Sequence, residues 1–179
     1  MQSPLRRLSL ALALLAVSGL STAAPPALVM PRPGTVSEAV EPVAASDATV
    51  AARLDAQGVG YERDEDGDFR VVFAWQEEQR SQIAFVAGRA HVFGDSAVRE
   101  VFSPAARVPE GGFDAERSDM ILRDSQSNIL GAWEIAGDVL FYVIKLHDDA
   151  DGARLEQALE AAAQLADDME QRLTGEDAL

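Results

Sequence analysis

The sequence predicts an α+β fold, an antiparallel sheet with helices packed on it, in the order α-β-β-β-(β)-α-β-β-α over residues 47–177. Three observations carry that expectation. Apolar and polar residues alternate at 59–63, 69–76 and 82–87, the period of strands with one buried face. Two runs rich in branched and aromatic residues, ILGAWEI and VLFYVIKL, flank Ala136-Gly137-Asp138 and read as a hairpin. From Asp151 onward, Leu155, Leu159, Ala162, Ala166, Met169 and Leu173 recur at spacings of three and four, one face of a long helix.

The elements follow in order. Arg6-Arg7, the apolar run Leu8 to Leu20 and the small residues Ser21 to Ala24 have the form of a secretory signal peptide, residues 1–23, with cleavage after Ala23. The run falls short of the roughly 20 apolar residues that span a bilayer, so no membrane association is expected after cleavage. Residues 24–46 carry five of the eight prolines and no sustained periodicity, and they read as a disordered Pro/Ala-rich leader. Asp47 precedes a short helix in which Val50 and Leu54 share a face and Gly58 supplies the stop.

The acidic stretch YERDEDGDF (61–69) has the look of a calcium loop. With Gly67 at the sixth position of that template, Glu62, Asp64 and Asp66 fall at ligand positions, but the bidentate acid required at position 12 is Phe73. A hairpin accounts for the same residues. A three-residue loop Glu65-Asp66-Gly67, with Gly67 left-handed, sets Glu62 opposite Arg70, whereas a two-residue loop opposes Arg63 to Arg70. That register gathers Tyr61, Phe69, Val71, Phe73 and Trp75 on one face.

The run VREVFS (98–103) reads as a fourth strand or as a helical turn capped by Asp95 or Ser96. SPAARVPEGGF (103–113), punctuated by prolines and glycines, reads as a loop. Residues 114–128 form a helix capped by Asp114, with a narrow stripe around Met120 and Ile121. The last helix has Asp148, Asp149 and Asp151 at its start, where the helix dipole favours negative charge, and Thr174-Gly175 at its end. Its stripe suits packing on the sheet, and the same spacing suits the seam of a homodimer.

The chemistry is sparse. There is no cysteine, so disulfides and thiol chemistry are excluded. The formal charge of −15 argues against nucleic acid as a partner. GDSA (94–97) invites a Ser96 nucleophile, but the Asp-x-x-His pair of one hydrolase class and the following glycines of another are missing. HDDADG (147–152) fails the calcium template at Ala158 and reads as helix capping. His91 and His147 are the only histidines, and neither zinc spacing nor a phosphate loop is present, so no metal, cofactor or catalytic residue is expected. Trp75, Trp133 and Tyr142 are the binding candidates by residue type, and they read first as core residues.

The Asp-Gly-rich first hairpin, RVVFAW, SQIAFV, REVFSPAARV, Asn128, GAWEI, VLFYVIKL and the final helix with Ala166-Asp167 near its end together resemble the YbjN family, the bacterial sensory-transduction-regulator domains. The resemblance implies a fold similar to type III secretion chaperones, frequent dimerisation and no catalytic residues to transfer. Joined to the export signal, it leads to the expectation of a periplasmic or secreted, chaperone-like or regulatory domain that binds protein or peptide without catalysis. An acidic, low-affinity divalent-cation binder and a carboxylate-dependent enzyme are the alternatives.

Overall fold

The computed structural model describes residues 47–76 and 79–175, all within one compact unit. The signal peptide and leader assigned from sequence lie outside the described residues. In chain order the elements are α1 (Asp47–Gln57), β1 (Glu62–Arg63), β2 (Phe69–Trp75), β3 (Arg80–Phe93), β4 (Ser96–Arg107), α2 (Ala115–Ser127), β5 (Ala132–Ala136), β6 (Val139–His147) and α3 (Gly152–Thr174). The strands form one antiparallel sheet in the order β1-β2-β3-β4-β6-β5. The fold is therefore α+β, as the alternation of periods implied.

α3 supplies most of the cover on one face of the sheet. Leu155, Ala158, Leu159, Ala162, Ala163, Ala166 and Met169 are buried, joining Val71, Ala84, Val86, Val101, Tyr142 and Ile144 from the strands. Alanines dominate this stripe, so the helix axis can approach the sheet closely. The stripe read from sequence is thus spent on the sheet within one chain. α1 adds Val50 and Leu54 to the same core, and α2 adds Ile121. Asp114 and Asp151 cap α2 and α3 by accepting from the amides of Arg117 and Arg154, at 2.8 and 2.9 Å, and Gly175 closes α3 with a φ of 73°.

The first hairpin has the register argued from charge. Glu62 stands opposite Arg70, Gly67 has a φ of 89°, and the Asp64 amide donates to the Asp68 carbonyl across the loop. Asp64 and Asp68 organise this turn: Asp64 Oδ1 accepts from the amides of Asp66 and Asp68, and Asp68 Oδ1 accepts from the Gly88 amide at 2.8 Å. Burial, with the charges of Asp64 and Asp66, holds the Asp68 carboxyl above the usual range in spite of that amide. Gly88 lies in the irregular stretch of β3 between Val86 and Ala90, against the turn, and a Cβ there would sit 2.2 Å from the Gly67 carbonyl oxygen.

Three stretches differ from the sequence reading. Residues 96–107 are one strand, where a helical turn at 98 and a loop from Ser103 were alternatives or expectations. β4 passes through Pro104 because its backbone pairing with β3 has ended at Phe102, and side chains take over. Gln82 Nε2 donates to the Pro104 carbonyl at 3.1 Å, and Ser103 Oγ donates to the Ile83 carbonyl at 2.6 Å. β3 runs on to Phe93 and β4 starts at Ser96, so Gly94-Asp95 of GDSA is the tight hairpin turn and Ser96-Ala97 open β4. β5 begins at Ala132, and Ile129 and Leu130 lie outside the strand, because Gly131, at a φ of 88°, turns the chain out of the sheet.

Candidate functional site

Where β5 stops, a groove opens. Its floor is Ile144 and Leu146 of β6, one wall is Arg154, Gln157, Ala158, Ala161 and Leu165 of α3, and the other wall is the segment Ser127–Leu130; its volume is about 610 Å³. The lining is mainly apolar. Ile129 at the rim is fully exposed and Leu130 is half exposed, so two adjacent apolar side chains meet solvent beside the apolar lining.

The 127–131 wall is held by specific bonds. Tyr142 is completely buried, and its hydroxyl donates to the Leu130 carbonyl at 2.5 Å. Burial, with the nearby Asp124 charge, raises the pKa of that phenol and keeps it protonated as a donor. A Cβ at Gly131 would fall within 3 Å of the Val143 carbonyl oxygen and the Ile144 and Tyr142 side chains, so the chain must pass here as glycine. Beneath the wall, Asp124 Oδ2 accepts from Trp133 Nε1 at 2.8 Å and Asn128 Nδ2 at 3.1 Å, and Oδ1 accepts from Arg172 Nη1 at 2.6 Å. Burial pushes the Asp124 carboxyl up, but bonds from Trp133, Arg172 and Asn128 outweigh it and hold it below the usual range. One carboxylate thereby ties α2 to β5 and α3.

The sequence-derived binding candidates take supporting places. Trp133 and Tyr142 are core residues in edge-to-face contact, with ring centroids 4.9 Å apart, directly behind the groove. Trp75 is half-buried at the far end of β2, stacked near Phe73. The structure brings Tyr142 and Trp133 together and leaves Trp75 elsewhere. Ile129 and Leu130 were not singled out by sequence, because they read as the start of a strand. The signal present in the sequence was their position between Asn128, which ends α2, and Gly131.

A second cleft, about 590 Å³, lies among α1, the β3–β4 turn and residues 147–151. It brings Ser96, His147 and Asp148 to one place, yet their bonds serve architecture. Ser96 Oγ donates to the Phe93 carbonyl at 3.0 Å. Asp148 is held by Arg99 Nε at 2.6 Å and Arg53 Nη2 at 3.5 Å, and Arg53 Nη1 also donates to the carbonyls of Asp148 and Ala150. Arg99, almost wholly buried, donates to the Ala87 carbonyl as well. The acidic loop is therefore a latch joining α1, β4 and the start of α3.

Among the described residues, no group of three or more His, Asp or Glu side chains is placed to hold a metal ion, and no helix is long and apolar enough to cross a membrane. The chain matches no protein-family model and no curated protein.

Proposed function

We propose that this chain is an exported, non-catalytic domain of the YbjN type that binds a protein or peptide through the groove between β6, α3 and residues 127–130. The observation that carries the reading is the pairing of a 610 Å³ apolar groove with the exposed Ile129 and Leu130 at its rim. Groove recognition of a peptide needs apolar side chains that water would otherwise cover, plus a rigid wall to present them. The bonds from Tyr142 and Asp124 supply that rigidity. The export signal read from residues 1–23, a departure from the family pattern, supports the periplasm or the exterior as the working compartment.

The test compares capture from a periplasmic extract, at near-native salt, by the wild-type domain and by Ala161→Glu. Ala161 is exposed on α3 and lines the groove, so glutamate there obstructs the groove without entering the core. A partner retained by wild type and lost by the variant is expected. Equal capture by both, or no reproducible partner, contradicts the assignment.

A further inference from the structure

We propose that the outer edge of β6, from Ile144 to His147, takes up an extended segment of a partner protein as an additional strand. This rests on the peptide-binding reading above and specifies how the segment is held and what its chemistry is. β4 pairs with β6 along its whole length to His147, but β5 covers the other side only from Val139 to Val143.

The direction of the backbone groups follows from fixed contacts. The Val108 amide donates to the Asp138 carbonyl and the Asp148 amide donates to the Ala97 carbonyl, so even-numbered residues bond towards β4. Successive residues of a strand turn their N–H and C=O to opposite sides. Val143 accordingly presents its carbonyl to Gly131, and Lys145 and His147 face outward. The His147 carbonyl accepts from the Ala150 amide. The Lys145 N–H, the Lys145 carbonyl and the His147 N–H have no partner among the described residues. An extended segment can bond all three, whereas a helix has already used its own backbone groups.

Side chains fit the same geometry. In a strand laid along this edge, alternate side chains enter the groove against Leu146, Ala161 and Leu165, and the others fall on the open face beside Lys145. The partner segment therefore has apolar residues at every second position, and a net positive charge suits the formal charge of −15 on this chain. A second copy of this chain is disfavoured, because each carries a formal charge of −15. The β2 edge is also bare beyond Arg70, but the cavity beside it is only about 280 Å³ and is lined by Glu62 and Arg70.

The experiment pans a library of linear dodecapeptides on the full mature protein, with Ala161→Glu for counter-selection. Each enriched peptide is then made in two N-methylated forms, one for each phase of the strand alternation. Enriched sequences are expected to alternate apolar residues and carry a net positive charge, and binding should slow hydrogen exchange at the Lys145 and His147 amides. Methylation in the phase facing β6 should weaken binding about fivefold or more, the worth of one lost hydrogen bond, and the other phase should be tolerated. Apolar spacing of three and four, equal tolerance of both methyl positions, or protection on β2 instead overturns strand addition and leaves peptide binding intact. Protection of the same edge by self-association without peptide overturns the partner assignment. Failure to enrich any peptide that separates wild type from Ala161→Glu overturns the strand proposal together with the groove reading.

Discussion

Replacing Asp124 by alanine should destabilise the domain by about 2–4 kcal/mol. Trp133 is buried, and its indole N–H loses the acceptor at 2.8 Å; an unsatisfied buried donor costs about 1–3 kcal/mol. The bond from Arg172 adds less, about 1 kcal/mol at most, because that side chain is half exposed and solvent screens the pair. Asn128, which bonds both the Asp124 carboxylate and its carbonyl, contributes the remainder. For a domain of this size, about 3–5 °C accompanies each kcal/mol, so the melting temperature should fall by about 6–20 °C at pH 7. Asp124→Asn keeps an acceptor for Trp133 and should lose about half as much.

The pH dependence gives an independent reading of the same carboxylate. Its folded pKa lies below the unfolded value, so its contribution is complete above about pH 4, the unfolded range. The contribution then disappears as pH falls through the folded pKa. Melting curves of wild type and Asp124→Asn, followed by circular dichroism from pH 7 to pH 2, should therefore converge at the acid end. A melting temperature for Asp124→Ala within about 2 °C of wild type at pH 7 would refute the assignment of Asp124 as the tie among α2, β5 and α3.

Three further outcomes are expected. Gly88→Ala forces a Cβ onto the Gly67 carbonyl oxygen and should cost about 2–4 kcal/mol in urea denaturation, while Gly60→Ala, with open space around it, should stay within about 0.5 kcal/mol. Arg99→Ala leaves Asp148 without its closest cation and the Ala87 carbonyl without that donor, and should cost about 3–5 kcal/mol, read by the same assay. Intact-mass measurement of the exported protein should place the mature N-terminus at Ala24, and a full-length chain retained in the cytosol would contradict the signal assignment.

Much of this fold was legible because local pattern and tertiary role agree. The stripe from Leu155 to Met169 is buried, the turn around Gly137 sits where two branched runs meet, and opposite charges on Glu62 and Arg70 were enough to choose a register. Pro104 misled because a proline in mid-run reads as a break; only the tertiary placement of Gln82 and Ser103 shows how the strand continues without its amide. A groove between the sheet and the last helix could be expected, but its position and lining were not legible. It exists because β5 ends four residues short of the end of β6, and a single-sequence pattern carries no information about the relative lengths of paired strands. Ile129 and Leu130 looked like strand residues for the same reason, since exposure is settled by Gly131 and by a hydroxyl that arrives from Tyr142.

The most direct test is photocrosslinking in intact cells, with a photoreactive residue placed in turn at Ile129 on the groove rim, at Leu122 on the exposed side of α2, and at Phe93 on the β3–β4 turn. All three side chains are exposed, so differences in yield report where a partner sits. The account predicts a discrete adduct from Ile129 that is absent from the other two positions. Equal adducts from all three, or an adduct from Leu122 or Phe93 with none from Ile129, would contradict it.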